Sequence, residues 1–289
     1  MINHLKQAIL FVVGRRMTYR VGRALYFHAR GEHSNDMWSN GEFLIQRCVL
    51  DAWLKEDAGN SRLVVFDVGA NVGDWSAAFI KLLSDSKISD SVDLYAFEPV
   101  LSTMEILKRN LGDQCRYLHY EQLALSSENG DGNIFVGPGC GINSLHANPL
   151  RGDEQTVAIV RSTATEFCMR RQIQKVHLLK CDTEGHDMEV IRGALQLLVE
   201  EKVSVLQFEY NHRWINSRNF LRDVYVATEE LPYVLVKLQS DYLLVLPEWN
   251  PELEKFIEGN YALIHKKSLA WFPTKKATWD QANTMVVDC

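Results

Sequence analysis

One stretch of the sequence decides the fold, and it reads Val64-Val65-Phe66-Asp67-Val68-Gly69-Ala70-Asn71-Val72-Gly73-Asp74. The run from Leu63 to Val68 is short and apolar throughout, so it predicts a strand that is buried on both faces. Gly69 and Gly73 allow a tight turn and a close approach of the backbone to a ligand. Residues 75–83 then have the periodicity of a helix. We therefore expect a ligand at the end of this strand, where parallel sheets bind ligands.

The alternation of buried strands and amphipathic helices continues along the chain. Further strands are predicted at 92–97, 117–125, 176–181, 203–208, 233–246 (a strand or hairpin) and 261–265, and helices at 40–54, 102–111, 187–201 and 220–230. This order predicts an α/β fold with a Rossmann-like, mostly parallel sheet and helices on both faces. We divide the chain into an N-terminal helical segment (1–60), the main domain (61–267) and a loosely held C-terminal tail (268–289).

A glycine-rich segment, residues 126–162, interrupts this alternation. Segments of this length without periodicity are usually functional loops or disordered ones. Within it, residues 137–146 would fold over a bound acceptor as a lid, or form a plain surface loop.

Charge is unevenly distributed along the chain. The net charge is −6, but residues 1–31 hold six basic and no acidic residues, so the remainder carries −12. This acidic remainder argues against a nucleic-acid partner. The basic first helix either packs on the domain or makes a weak peripheral contact with an anionic membrane or a partner. Because the early apolar run is too short to span a membrane and lacks a cleavage site, we expect a cytoplasmic protein.

Two classes of cofactor compete for the loop after the first strand. A dinucleotide site would place glycines where this chain has Asn71 and Asp74, and Asp74 would repel a pyrophosphate. S-adenosylmethionine has no phosphate and carries a sulfonium cation, so an acidic residue beside a glycine loop suits it. Glu98 follows Gly73 by 25 residues and ends the next strand. Its carboxylate can accept hydrogen bonds from both ribose hydroxyls.

The candidate cofactor site adds the end of the third strand, whose backbone would reach the adenine. Its members are Asp67, Gly69, Asn71, Gly73, Glu98, Pro99, Ala124, Leu125 and Ser126. Two alternatives stay open: an oxidoreductase that binds a dinucleotide on the same fold, and a non-catalytic protein that binds the cofactor without turnover.

Four motifs taken together resemble the FkbM family of methyltransferases. They are Asp67–Gly73, Glu98-Pro99, Leu179-Lys180-Cys181-Asp182-Thr183-Glu184-Gly185-His186-Asp187 and Gln207-Phe208-Glu209-Tyr210-Asn211, and Asn40-Gly41-Glu42 is similar to a segment of many members. The resemblance covers roughly residues 36–266. It implies a class I methyltransferase fold, S-adenosylmethionine as cofactor, and methylation of an oxygen on a small molecule or glycan. One departure is Thr163–Phe167, which stands where many members have Leu-Asp-Asp and leaves Glu166 as the substitute carboxylate.

Acidic side chains follow two of the predicted strands, at the ligand-binding edge of the sheet. Asp182, Glu184 and Glu209 are the candidate catalytic residues, which would orient the acceptor hydroxyl or remove its proton. Capping of the next helix is the structural alternative for the first two. His186 and His212 are further candidate bases. These groups also offer ligands for a divalent cation such as magnesium, but their spacing is not diagnostic, and we predict no metal.

Overall fold

The helices and strands that carry the site follow one another with short connections. A computed structural model of the protein describes residues 11–32, 36–58, 61–112, 116–137, 143–146 and 155–288. Its strands are β1 Leu63–Val68, β2 Val92–Phe97, β3 Leu118–Glu121, β4 Ala124–Leu125, β5 Gly130–Val136, β6 Gln155–Ser162, β7 Val176–Cys181, β8 Val203–Tyr210, β9 Tyr233–Leu238, β10 Leu243–Val245, β11 Gly259–His265, β12 Thr274–Trp279 and β13 Met285–Val287. Its helices are α1 Arg15–Ala29, α2 Glu42–Glu56, α3 Asp74–Ser86, α4 Leu101–Leu111, α5 Ala164–Arg171, α6 Asp187–Val199, α7 Trp214–Ser217 and α8 Leu221–Thr228.

The larger sheet places β1 at the centre of the site. Among the described residues its strand order is β13-β12-β10-β9-β11-β8-β7-β1-β2-β3. β1 is parallel to β2 on one side and to β7 on the other, and β7 is parallel to β8. β11 runs antiparallel to both β8 and β9. The carboxyl ends of β1, β2 and β7 therefore meet at one edge, where the strand order switches direction.

Helices cover both faces of this sheet, which explains why β1 is apolar without alternation. On one face Phe66 packs in the same core as Ile191 of α6, and on the other Val65 packs in the same core as Phe79 of α3. All of β1 is buried. The predicted α/β class is confirmed, with its Rossmann-like and mostly parallel sheet, helices on both faces and an N-terminal helical segment.

The glycine-rich interruption builds a second sheet of three strands, in the order β4-β6-β5. β5 pairs antiparallel with β6, and β4 pairs parallel with it. The prediction of one continuous strand over 117–125 is therefore wrong. β3 ends at Glu121, and the amide of Leu123 donates to the Glu121 carbonyl in a tight turn. β4 then leaves the large sheet because its backbone pairs with β6.

The C-terminal residues extend the large sheet. β12 pairs parallel with β10, and β13 pairs antiparallel with β12. Both strands lie within residues 268–289, where the sequence analysis expected a loosely held tail, and the strand predicted at 261–265 is present as β11 but is not the last one. The edge of β10 presents backbone N–H and C=O groups that β12 satisfies. Only Ala277 of β12 is fully buried, so the segment carries almost no apolar pattern.

The two N-terminal helices differ in how they are packed. α2 buries Ile45, Val49 and Trp53 in the core, whereas α1 has no buried residue. Residues 1–10, which the sequence analysis assigned to the N-terminal helical segment, lie outside the described residues. Within the described part of the chain, no helix has the length and apolar character needed to cross a membrane.

Candidate functional site

The loop after β1 is shaped by three residues with left-handed backbone. Gly69 has φ 77°, Asn71 has φ 49° and Gly73 has φ 99°. Glycine adopts such angles freely, and asparagine is among the side chains that tolerate them best. A Cβ atom on Gly69 would lie only 2.0 Å from the carbonyl oxygen of Asp182. Glycine at this position therefore lets the end of β1 touch the end of β7, and it brings Asp182 to the loop.

Two clefts open around this loop. The first, which we call the Glu98 cleft, encloses about 620 Å³ of space between atoms, part of it open to solvent. Its lining combines the loop with the ends of β2, β4 and β7, namely Val68, Gly69, Asn71, Phe97, Glu98, Pro99, Leu123, Ala124, Leu125, Ile134, Asn143, Leu145, Asp182, Thr183 and Glu184. The lining thus combines aliphatic side chains, such as Leu123 and Ile134, with polar ones, such as Glu98 and Asp182.

The Glu98 carboxyl group is the main polar feature of this cleft. It is 5% exposed, and the amide of Val100 donates to its Oε1 at 2.9 Å. Burial raises the pKa of Glu98 to about 7. A carboxylate at the end of β2, beside aliphatic walls, fits the adenosine part of S-adenosylmethionine, because it can accept ribose hydroxyl hydrogens while the walls receive a flat base.

The second cleft, which we call the Trp38 cleft, lies against the same loop. It is lined by Asp36, Met37, Trp38, Glu42, Gly69, Ala70, Asn71, Val72, Gly73, Asp74, Trp75, Lys180 and Asp182. The indole of Trp38 is 57% exposed, and its ring lies 4.9 Å from that of Phe43, centroid to centroid. The two clefts share Gly69, Asn71 and Asp182.

A buried ion cluster supports the floor of the Trp38 cleft. Lys180 stands opposite Asp67 in the parallel register, and its Nζ lies 3.1 Å from Asp67 Oδ1 and 3.7 Å from Asp182 Oδ2. Burial alone would lower the pKa of Lys180, but the carboxylates of Asp67, Asp182 and Glu42 raise it above its ordinary value. The hydroxyl of Ser76 also donates to Asp67, at 2.7 Å. The cluster thus holds a charged ammonium among three carboxylates.

The sequence analysis did not identify Lys180. Lysine stands in an otherwise apolar strand, and Asp67 stands in the neighbouring one. Buried charges are normally paired. A lysine in one predicted buried strand and an aspartate in another could therefore have predicted this contact.

The predicted cofactor residues separate into three groups. Six of the nine line the Glu98 cleft: Gly69, Asn71, Glu98, Pro99, Ala124 and Leu125. Gly73 lines the Trp38 cleft instead. Asp67 and Ser126 line neither cleft: Asp67 pairs with Lys180, and the Oγ of Ser126 lies 3.0 Å from Nε2 of His186. Both side chains are thus engaged with other residues of the protein.

The three candidate catalytic carboxylates are not equivalent. Asp182 lines both clefts, and its side chain is 40% exposed. Glu184 lines the Glu98 cleft and lies 2.6 Å from Nε of Arg213; burial raises its pKa to about 7. Glu209 lines neither cleft and accepts a hydrogen bond from Asn211, and burial, with the nearby Asp182, raises its pKa.

The other polar candidates lie away from both clefts. His186 is hydrogen-bonded to Ser126 and to His146, and burial lowers its pKa to about 3, so its ring is neutral near pH 7. His212 is exposed. Glu166 pairs with Arg170 along α5 at 2.6 Å. Within the described ranges, no group of three or more His, Cys, Asp or Glu side chains is placed to hold a metal ion.

Part of the predicted lid borders the first cleft. Residues 138–142 lie outside the described residues, but Asn143 and Leu145 line the Glu98 cleft. Between them, the Ser144 hydroxyl donates to the carbonyl oxygen of Glu184 at 2.9 Å. The sequence predicts either a lid over the acceptor or a plain surface loop here, and the described part of the segment borders the Glu98 cleft.

Comparisons with known proteins agree with this geometry. The family described as the methyltransferase FkbM domain matches residues 67–240. Hexuronic acid methyltransferase AglP of Haloferax volcanii is 26% identical over 135 residues, 47% of this chain and 51% of the relative; the match thus spans about half of that protein.

Solved structures of methyltransferases match the chain with low TM-scores. The DszA carbon methyltransferase has a TM-score of 0.45 at 11% identity, covering 89% of this chain and 59% of that one. An O-methyltransferase dependent on S-adenosylmethionine from Thermotoga maritima has a TM-score of 0.38 at 10% identity, covering 75% of this chain and 64% of that one. Likeness at this level does not bear on the acceptor.

Proposed function

The chain belongs to the FkbM family of methyltransferases, and on that premise we propose that it methylates a hydroxyl oxygen of a sugar or another small molecule. Its cofactor is S-adenosylmethionine, which supplies, when bound, a methyl group activated by a positively charged sulfur. The observation that carries the proposal is the position of Asp182, which lines both clefts at once. A residue at that junction can face the cofactor on one side and the acceptor on the other.

Each of the two clefts would bind one of the two reactants. Glu98 and the aliphatic walls of the first cleft would hold the adenosine part of the cofactor. The loop from Gly69 to Gly73 separates this cleft from the second, which would receive the acceptor. Placing two reactants on either side of one loop fixes their mutual orientation, and orientation accounts for much of the rate of a displacement reaction.

Asp182 would act on the acceptor hydroxyl. Its partly exposed carboxylate can accept the hydroxyl hydrogen bond, align the oxygen and take up the proton. Lys180 lies 3.7 Å from it and is itself held by the fully buried Asp67. Lys180 is thus a positioning residue: it anchors Asp182 and offsets the repulsion among the carboxylates gathered there.

The lining of the Trp38 cleft favours a sugar acceptor. The exposed indole of Trp38 offers a flat apolar surface to the C–H groups of a sugar ring, and Asp36, Glu42 and Asp74 offer acceptors to its hydroxyl groups. The same carboxylates would repel a phosphate backbone, which disfavours RNA. The archaeal relative is named for hexuronic acid, but the same carboxylates would also repel a hexuronate, so neutral glycosides and hexuronic acid glycosides are to be tested side by side.

The test is transfer of a labelled methyl group to hexuronic acid glycosides and to matched neutral glycosides, with NMR of the product to locate the methyl. Asp182→Asn keeps the shape and removes the charge. We expect its turnover to fall by about 100-fold or more, with affinity for S-adenosylhomocysteine unchanged within a few-fold. Asp85→Asn, an exposed site on α3 away from both clefts, is the matched control.

The possible results separate the parts of the proposal. A methyl group found on carbon would contradict O-methylation. If Asp182→Asn keeps its turnover and loses only cofactor affinity, Asp182 belongs to the cofactor pocket, and Glu184 becomes the next candidate base. Cofactor binding without transfer to any hydroxyl acceptor would favour a non-catalytic protein.

A further inference from the structure

Helix α1 turns an apolar stripe away from the rest of the protein. Met17, Val21 and Leu25 are spaced four residues apart and therefore lie along one side of the helix. Their side chains are 52%, 48% and 64% exposed. Tyr26 and Phe27 instead line a groove between α1 and the loop before β11. At 3.6 residues per turn, the apolar stripe and the residues that line this groove lie about half a turn apart, on opposite sides of the helix.

This orientation is the reverse of the usual one. An amphipathic helix on a globular domain normally buries its apolar side against the core. α1 is attached near its C-terminal end, where the Tyr26 hydroxyl donates to Glu252 at 3.2 Å and Arg30 lies 3.7 Å from the same carboxylate. The stripe takes no part in this attachment, since α1 buries none of its residues.

The remaining surface of α1 is strongly basic. Arg15, Arg16, Arg20 and Arg23 are all exposed, and α1 contains no acidic residue. By helical spacing these arginines fall on the side opposite or adjacent to the stripe. Their long side chains can bend along the helix so that the guanidinium groups reach charges near the apolar side.

We propose that α1 binds the surface of an anionic membrane, with its apolar stripe inserted among the lipids and its arginines at the headgroups. A bilayer supplies both features at once, namely an apolar layer and a layer of negative charge directly above it. A second copy of the chain fits less well, because pairing two α1 stripes would leave the arginines on the outer sides of the pair, with no negative charge to meet them. With the stripe in the membrane, the domain lies on the opposite side of the helix, free of the bilayer.

The test is cosedimentation of the full-length protein with phosphatidylcholine vesicles, with or without phosphatidylglycerol. The variant Met17→Glu/Val21→Glu/Leu25→Glu removes the apolar stripe. A matched control, Val160→Glu/Met169→Glu/Val199→Glu, makes the same charge change at apolar residues that are 53%, 67% and 57% exposed elsewhere.

We expect the wild-type protein and the control to bind the anionic vesicles and to bind the neutral ones much less. The affinity of the stripe variant for the anionic vesicles should be lower by about ten-fold or more. Affinity for S-adenosylhomocysteine should be the same in all three proteins, which shows that the domain stays folded. A second variant, Arg15→Gln/Arg16→Gln/Arg20→Gln, should lose the preference for anionic lipid.

Equal binding of the wild-type protein and the stripe variant to anionic vesicles would overturn the proposal. So would a wild-type protein that ignores the vesicles and whose oligomeric state, measured by sedimentation velocity, changes in the stripe variant. That result would assign the stripe to contact between copies of the chain.

Discussion

Affinity for S-adenosylhomocysteine should weaken as the pH falls through 7, because the carboxyl group that would meet the ribose is buried. Burial raises the pKa of Glu98 to about 7, and only the ionised form accepts hydrogen bonds from both ribose hydroxyls. The ionised fraction falls from about nine-tenths at pH 8 to about one-tenth at pH 6. Affinity should therefore fall about ten-fold over this range, or ~1.4 kcal/mol. Binding at pH 7 should also release protons.

Isothermal titration at pH 6, 7 and 8 measures both effects, and buffers of different ionisation enthalpy report the released protons. Glu98→Gln should lose ~1–3 kcal/mol of binding free energy at pH 8 and should abolish the pH dependence. Glu184 lines the same cleft, and its pKa is also about 7, so Glu184→Gln is the control that should retain the dependence. Methylthioadenosine, which lacks the titratable amino acid part, is a second probe.

Two results would refute this reasoning. Wild-type affinity that is constant from pH 6 to pH 8 would mean that the Glu98 carboxylate does not meet the ligand in its ionised form. A pH dependence that survives in Glu98→Gln would assign the titration to another group. In either case the ribose assignment of the Glu98 cleft would fail.

Two further substitutions test the contacts beneath the site. Gly69→Ala places a Cβ atom 2.0 Å from the Asp182 carbonyl oxygen. We therefore expect it to lower the free energy of unfolding by ~1–3 kcal/mol and to lower turnover as well. The control is Gly112→Ala, at a glycine with a similar φ of 79° but with open space around it, and it should affect turnover little. Lys180→Met leaves the buried Asp67 without its ammonium partner, so urea unfolding should show a loss of ~3–5 kcal/mol, and a change below ~0.5 kcal/mol would contradict a stabilising ion cluster.

Much of the fold follows from local patterns. The sequence predicts β1, the glycines after it and the helix that follows, because each of these depends on neighbouring residues only. The strands β2 and β7 have the predicted bounds, since both are mostly apolar runs between polar turns. By contrast, β12 was missed because its place depends on the open edge of β10, and a single buried Ala277 leaves no pattern to read.

Some residues of the candidate site could be predicted from the sequence, and others could not. Gly69 and Glu98 could be placed at the cleft from the sequence, because each belongs to a short motif at the end of a predicted strand. The contribution of Trp38 could not be foreseen, since this residue precedes the main domain in sequence and reaches the site only through packing of the N-terminal segment. The difference between Asp182 and Glu209 was equally hidden, because both follow apolar runs in the sequence. Only the structure shows that Asp182 comes after β7, whereas Glu209 lies within β8 and is buried.

The sequence by itself therefore determined the class of fold, the glycine loop after β1 and the position of Glu98 at the end of β2, since these depend on residues close together in the chain. Only the tertiary structure decided that Asp182 stands between two clefts, that Lys180 binds Asp67 beneath it, and that the apolar stripe of α1 faces outward. These features are contacts between segments far apart in sequence. They depend on strand register and on which surfaces remain uncovered after packing, and no local pattern of residues records either one.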